Sequence, residues 1–477
     1  MVNVNNQNAV IPPRLLVTGG VLLAVVIASL YGMVAKSLNA FLLLTALPVG
    51  VFLLNNPRLT FMASIMLTVS ALTLPGLPSK INLCMLSMAT VSVTLVASAV
   101  VNRQPILGRP QTLWVAALML LMLITAYLRG FGLRSLGGES WGGFTYVTML
   151  LNCLFFLAAG NAYLTERDWT KALIWMCLLS IIPTLAQAAY AYSGGALRHV
   201  FYVVVPEYQV LEFMNLRQHG SDLARLQQAN IPSQYFFVLA FMSLFQRRLR
   251  PWTLILIAAS FVLAGISGNR IALVFNILMA FIYSAIERDK PLAHMFFRPL
   301  TLGIVLALLV LSFAAEFLPL TFQRVLSIIP FANVSMEARE AASTTINWRL
   351  EVWAAALHQA PQYLLIGKGF AFSAQDVMTI SARTLYMNDI TYVLATRNYH
   401  NGMIHTLLDL GLPGLLITVG FLVTSLARHA RLVHGDWHSP LLRHYHRVFY
   451  AVLLTTVLVY FVMAGGVTHL AYMFFWV

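Results

Sequence analysis

The fifteen residues His400 to Gly414, HNGMIHTLLDLGLPG, set a histidine and an asparagine at the mouth of a long apolar run. A neutral imidazole can take a proton from a hydroxyl, and its unperturbed pKa, roughly 6.5, suits that task at neutral pH. His400 is the candidate general base, a role worth on the order of 10²–10⁴ in rate. The bland alternative is a helix-cap histidine bonded to backbone. Asn401 is expected to cap the helix or fix the imidazole rather than react. Asn401, His405 and Asp409 are spaced by four, which puts them on one helix face, turned about 100° from His400. A carboxylate inside a membrane helix costs about 2.5–3.5 kcal/mol unless partnered, so Asp409 is expected to pair within the protein. His405 is its nearest candidate, and the pair is read as orienting the helix. Gly411 and Gly414 fit close helix packing and carry no chemistry.

The elements that position these groups follow from composition. Over 477 residues, 59% are hydrophobic and 10% charged, and the mean hydropathy is +0.78. A water-facing surface normally needs about 25% charged residues, which excludes a soluble globule. The expected fold is an all-α polytopic membrane protein with about 12–13 transmembrane helices. Long apolar runs, most without a charge in the middle, place them near 14–34, 38–54, 59–77, 82–101, 112–128, 144–163, 171–193, 232–246, 252–268, 270–286, 299–318, 403–427 and 448–470. Residues 1–318 then hold transmembrane helices 1–11, with an outer loop at about 194–231; a large outer loop spans 319–402, and the last helices occupy 403–477.

Orientation follows from Lys and Arg. An inside N-terminus leaves sixteen of them at inner ends and five (Lys36, Lys80, Arg129, Arg134 and Arg270) in short outer turns. Both long loops then face outward. The net charge of +14 is dispersed between apolar runs, so it reads as topology-setting and not as a nucleic-acid surface. Cys84, Cys153 and Cys177 read as buried small apolar side chains. The N-terminus lacks the pattern of a cleaved leader, so the first span is expected to be retained. The 194–231 loop carries both charge signs and reads as solvated. In the larger loop, Ile346, Leu350, Trp353 and Leu357 recur at helical spacing up to Pro361, predicting an amphipathic helix packed on the membrane domain. Arg349, Val352, Trp353 and Ala356 form a neighbouring stripe, and GKGF at 367–370 is read as a flexible turn.

Three pieces resemble the O-antigen ligase and polymerase superfamily of bacterial inner-membrane glycosyltransferases. They are His400-Asn401 with Gly411 and Gly414, SGNR at 267–270, and NWRLEVWAAAL at 347–357 followed by GKG. The resemblance covers roughly residues 230 to 430, and the chain departs from it in having Asn269 where a second serine often stands. It implies a large periplasmic loop with short helices. It also implies transfer of a glycan from undecaprenyl diphosphate to a hydroxyl of lipid A-core or of a growing glycan. His400 is then the base, and Arg270 and Arg349 hold the diphosphate. A guanidinium stays charged and grips phosphate oxygens through two parallel hydrogen bonds. Taken alone, Arg270 would read as an interfacial anchor and Arg349 as an exposed loop charge.

No DxD pair, HExxH or P-loop occurs, and the two ExD triplets, Glu166–Asp168 and Glu287–Asp289, lie among basic residues at the inner ends, where they would not hold a metal against a nucleotide sugar. A lipid-linked donor is therefore expected, with no metal, ATP or other cofactor. The leading reading is ligation of O-antigen to lipid A-core in the bacterial inner membrane, with the site facing the periplasm. A polymerase building O-antigen or exopolysaccharide shares every feature used. From a different class, a transporter or flippase is disfavoured, because such proteins place charges near the midplane in paired halves, a symmetry this chain lacks.

Overall fold

The computed structural model describes residues 57–69, 83–101, 109–132, 142–160, 165–193, 226–246, 250–286, 291–383, 389–435 and 439–462. In lipid a backbone must satisfy its own polar groups, which selects helices. The helices are α1 Pro57–Leu67, α2 Leu83–Val101, α3 Pro110–Arg129, α4 Gly143–Ala159, α5 Glu166–Tyr192, α6 Asn230–Ser243, α7 Thr253–Ser267 and α8 Arg270–Ile286. They continue with α9 Pro291–Phe313, α10 Leu320–Leu326, α11 Met336–Gln359, α12 Ala374–Arg383, α13 Ile390–Thr396, α14 Gly402–His434 and α15 Pro440–Val462.

The protein is an all-α polytopic membrane protein. Among the described residues, five helical segments are long and apolar enough to cross a bilayer: α3, α5, Arg250–Ser267, α14 and α15. Five shorter apolar segments accompany them. Leu113, Leu120 and Leu123 of α3 and Leu254, Ile255 and Val262 of α7 are exposed, as lipid-facing positions should be. The spans expected at 14–34 and 38–54, most of the 194–231 loop, and Lys36, Lys80 and Arg134 lie outside the described residues.

Two cores hold the bundle. One gathers Val91, Phe237, Phe241, Met279 and Tyr283, the other Met122, Tyr146, Met149, Leu410 and Leu453. Helix α15 joins both, contributing Val448 and Val452 to the first and Leu453 and Tyr460 to the second. Some buried polar groups bond between helices: Asn276 of α8 donates to Ser260 Oγ of α7 at 2.7 Å. Such bonds stand in for the hydrophobic force that lipid removes.

The two ends of the bundle are distinct. Gln111 at the start of α3 donates to the Thr424 carbonyl of α14 at 3.1 Å, while Arg129 at the end of α3 donates to the carbonyls of Gly367 and Ile366 at 3.1 and 3.2 Å. Helix α14 therefore starts at the Arg129 end, and Arg109 and Arg428 share the other, within electrostatic reach of each other.

The 319–402 segment is largely helical, comprising α10 to α13. Its long helix α11 differs from the expected packing. Ile346, Leu350 and Leu357 are 53%, 54% and 48% exposed, whereas Val352 and Ala356 are fully buried. The buried face is the neighbouring stripe, because its small residues admit Val393, Tyr399 and the first turns of α14 into one apolar cluster. Helix α14 also departs from a plain span: Gly411 has φ +73° and breaks it.

Candidate active site

The break in α14 has a clear cause. Pro413 has no N–H to return to the Asp409 carbonyl. The preceding loop supplies the missing bonds. Lys368 N donates to Leu408 O at 2.7 Å, Gly369 N to Asp409 O at 2.9 Å, and Leu412 N turns to Leu364 O at 2.7 Å. The GKG segment is thus a clamp seated in the helix break and not a flexible turn. A Cβ on Gly367 would lie 2.1 Å from the Asp409 carbonyl oxygen, so this approach needs glycine.

At the mouth of α14, Asn401 Oδ1 accepts from the backbone N–H of Met403 and Ile404 at 3.0 and 3.1 Å, capping the helix. Both His400 and Arg397 adopt left-handed backbone, at φ +53° and +61°. Non-glycine residues enter that region at a cost of about 1–2 kcal/mol, and packing from α11 holds His400 there. Trp353 Nε1 donates to the Tyr399 carbonyl at 2.8 Å. The Trp348 and His400 rings pack with centroids 5.5 Å apart and planes at 59°.

Arg349 follows Trp348 directly, and burial pulls its guanidinium below the ordinary value. Arg270 opens α8 beyond a tight turn. Gly268 there has φ +58°, and Asn269 Oδ1 accepts from Ile271 N at 3.0 Å. The charges of Arg349 and Arg324 both reach Arg270. Each of the two therefore adds to the positive potential at the start of α8.

Behind the mouth, His405 Nε2 lies 2.9 Å from Asp409 Oδ2, with Asp409 1% exposed. Arg397 Nη1 lies 4.0 Å from Asp409 Oδ1. Arg397 also donates to the carbonyls of Gly369 and Ala371 and stacks 4.7 Å from the Phe372 ring centroid. The buried carboxylate therefore faces two basic side chains, and one of them ties the clamp to the segment carrying His400.

Residues 235–419 match the family model described as O-Antigen ligase. This region belongs to the O-antigen ligase superfamily. No curated protein matches the chain. The O-antigen ligase region contains His400, Asn401, His405, Asp409, Arg270 and Arg349, together with the loop helices α10 to α13 between α9 and α14.

Three residues of this O-antigen ligase region escaped the sequence reading. Trp348 sits beside Arg349 within the quoted NWRLEVW run, and its aromatic ring was the available signal. Arg397 precedes His400 by only three residues, but nothing in TRNYHN tells a buried arginine from a solvated one. Arg324 lies on a helix of seven residues, too short to show a period. Among the described residues no group of three or more His, Cys, Asp or Glu could hold a metal ion.

Proposed function

We propose that this protein is a glycosyltransferase that moves a glycan from undecaprenyl diphosphate to an acceptor hydroxyl on the periplasmic side of the bacterial inner membrane. The preferred reaction is ligation of O-antigen to lipid A-core. The reading is carried by one observation: the His400 ring packs on Trp348, next to Arg349, whose charge reaches Arg270. Helix α11 thereby carries both the ring that packs on His400 and Arg349.

In the proposed reaction the acceptor oxygen forms a bond to the anomeric carbon while that carbon's bond to the phosphate oxygen breaks. His400 takes the hydroxyl proton, and the electron pair leaves on undecaprenyl diphosphate. Arg270, Arg349 and Arg324 offset the charge that builds on the departing diphosphate, the largest electrostatic demand of the step. They can do so without a metal or any other cofactor. Asn401, His405 and Asp409 are supporting groups that fix the first turns of α14.

Deletion of the gene followed by gel analysis of surface polysaccharide tests the assignment. Loss of the ligase leaves long chains on the carrier and bare core. Core bearing at most one repeat would instead identify a polymerase. Unchanged surface polysaccharide would reject both.

A further inference from the structure

At the Arg129 end of the bundle lies a cleft of about 680 Å³ that His400, Arg270 and Arg349 do not line. Its volume falls within the roughly 300–1,000 Å³ of small-molecule sites. The wall holds three kinds of group. Gln359, Gln362 and Gln375 supply amides that both donate and accept, with Ser373, Thr379 and Thr391 adding hydroxyls. Tyr363 and Phe372 supply rings. Arg129, Lys368 and Arg397 line it with a single carboxylate, Asp376, which lies 3.6 Å from the Lys368 ammonium. Burial and the nearby Arg397 pull the Lys368 ammonium below its ordinary value, against the opposing pull of Asp376. The lining thus joins amides and hydroxyls suited to sugar hydroxyls, rings suited to the C–H face of a pyranose, and an excess of positive charge.

Position completes the argument. Gln359 ends α11, ten residues after Arg349, or about 15 Å along the helix at 1.5 Å per residue. A glycan whose reacting end lies at the arginines would therefore reach the cleft with sugars remote from the bond being made. Contacts there that are equally strong in the ground and transition states lower KM and leave kcat unchanged.

We propose that this cleft is a distal saccharide subsite, selective for a sugar carrying a phosphate or carboxylate. The sugar belongs to either the donor glycan or the acceptor, and this part of the proposal rests on the transferase reading above. The probe is glucose 6-phosphate, titrated against the full-length protein in lipid nanodiscs by saturation-transfer NMR, with glucose and inorganic phosphate as controls. Both controls should bind at least tenfold more weakly. The double variant Gln362→Ala/Gln375→Ala, at two exposed positions, should weaken glucose 6-phosphate at least tenfold. Lys368→Gln should remove the preference over glucose, and His400→Ala should leave binding unchanged. In transfer assays the double variant should raise KM for one substrate at constant kcat, and the substrate affected identifies the glycan that occupies the cleft. Inorganic phosphate binding as well as the sugar phosphate, or binding indifferent to the double variant and to Lys368→Gln, overturns the subsite. Full transfer by His400→Ala would defeat the proposed reaction yet leave the binding result standing, so the two failures are distinguishable.

Discussion

The indole N–H of Trp353 donates to the carbonyl of Tyr399 at 2.8 Å, one residue before His400. This bond fixes the plane of the peptide that leads into the left-handed His400 backbone, so α11 sets the direction of the imidazole. Trp353→Phe keeps an aromatic ring and removes the donor. The buried carbonyl then loses its partner, at about 1–3 kcal/mol of stability. Turnover is expected to fall about tenfold with KM for both substrates unchanged. Unaltered kcat in a protein of lowered melting temperature would reduce Trp353 to a packing residue.

The His400 backbone allows the imidazole to be separated from the turn that carries it. At φ +53°, glycine relieves strain of about 1–2 kcal/mol and gives back roughly 0.5–1 kcal/mol in chain entropy. His400→Gly should therefore be at least as stable as the parent. Its transfer rate should drop on the order of 10²–10⁴, as expected on losing a general base. His400→Ala should show the same loss with slightly lower stability. Retained transfer in both variants would remove the base from the mechanism.

The sequence made some of this arrangement legible and hid the rest for physical reasons. Apolar length located α8 at 270–286 to the residue, because a bilayer demands a long apolar run and little else resembles one. The four-residue spacing of His405 and Asp409 marked a pair that the fold places 2.9 Å apart. The buried face of α11 was misread because large apolar residues normally mark a core. Here small Val352 and Ala356 allow close approach, and Ile346, Leu350 and Leu357 are left exposed. The clamp was hidden because its bonds join Leu364–Gly369 to a break more than forty residues onward, a pairing no local period reveals.

That clamp carries its own test. A methyl on Gly367 would strike the Asp409 carbonyl oxygen at 2.1 Å, whereas one on Gly411 would meet the Leu364 oxygen at 2.9 Å. Gly411→Ala adds left-handed strain at φ +73°, roughly 1–3 kcal/mol. Gly367→Ala should be the more damaging of the two, since backbone on both sides must separate. Thermal unfolding in detergent measures the order. A Gly367→Ala protein as stable as the parent would mean that the loop does not seat in the helix break.

The guanidinium cluster predicts the response to chelation. If Arg270, Arg349 and Arg324 offset the leaving-group charge, EDTA should leave the transfer rate unchanged. Loss of transfer in a chelated sample, restored by Mg²⁺, would contradict the mechanism.

Acid should act on the cleft through Asp376. Burial alone would raise its carboxyl, but hydrogen bonds from the Ser373 backbone and hydroxyl, with the charges of Lys368 and Arg397, outweigh that and hold it below the ordinary value. A carboxyl depressed by folding contributes stability that is fully present above its unfolded pKa, about 3.9. That contribution is lost as pH falls through the depressed folded value. Asp376→Asn abolishes the titration, so at pH 7 the segment 373–383 should exchange its amide hydrogens faster in the variant than in the parent. The difference should shrink as the pH falls below about 4. A difference independent of pH between 7 and 3 would assign the stabilisation to side-chain shape, with no part for the ionised carboxylate.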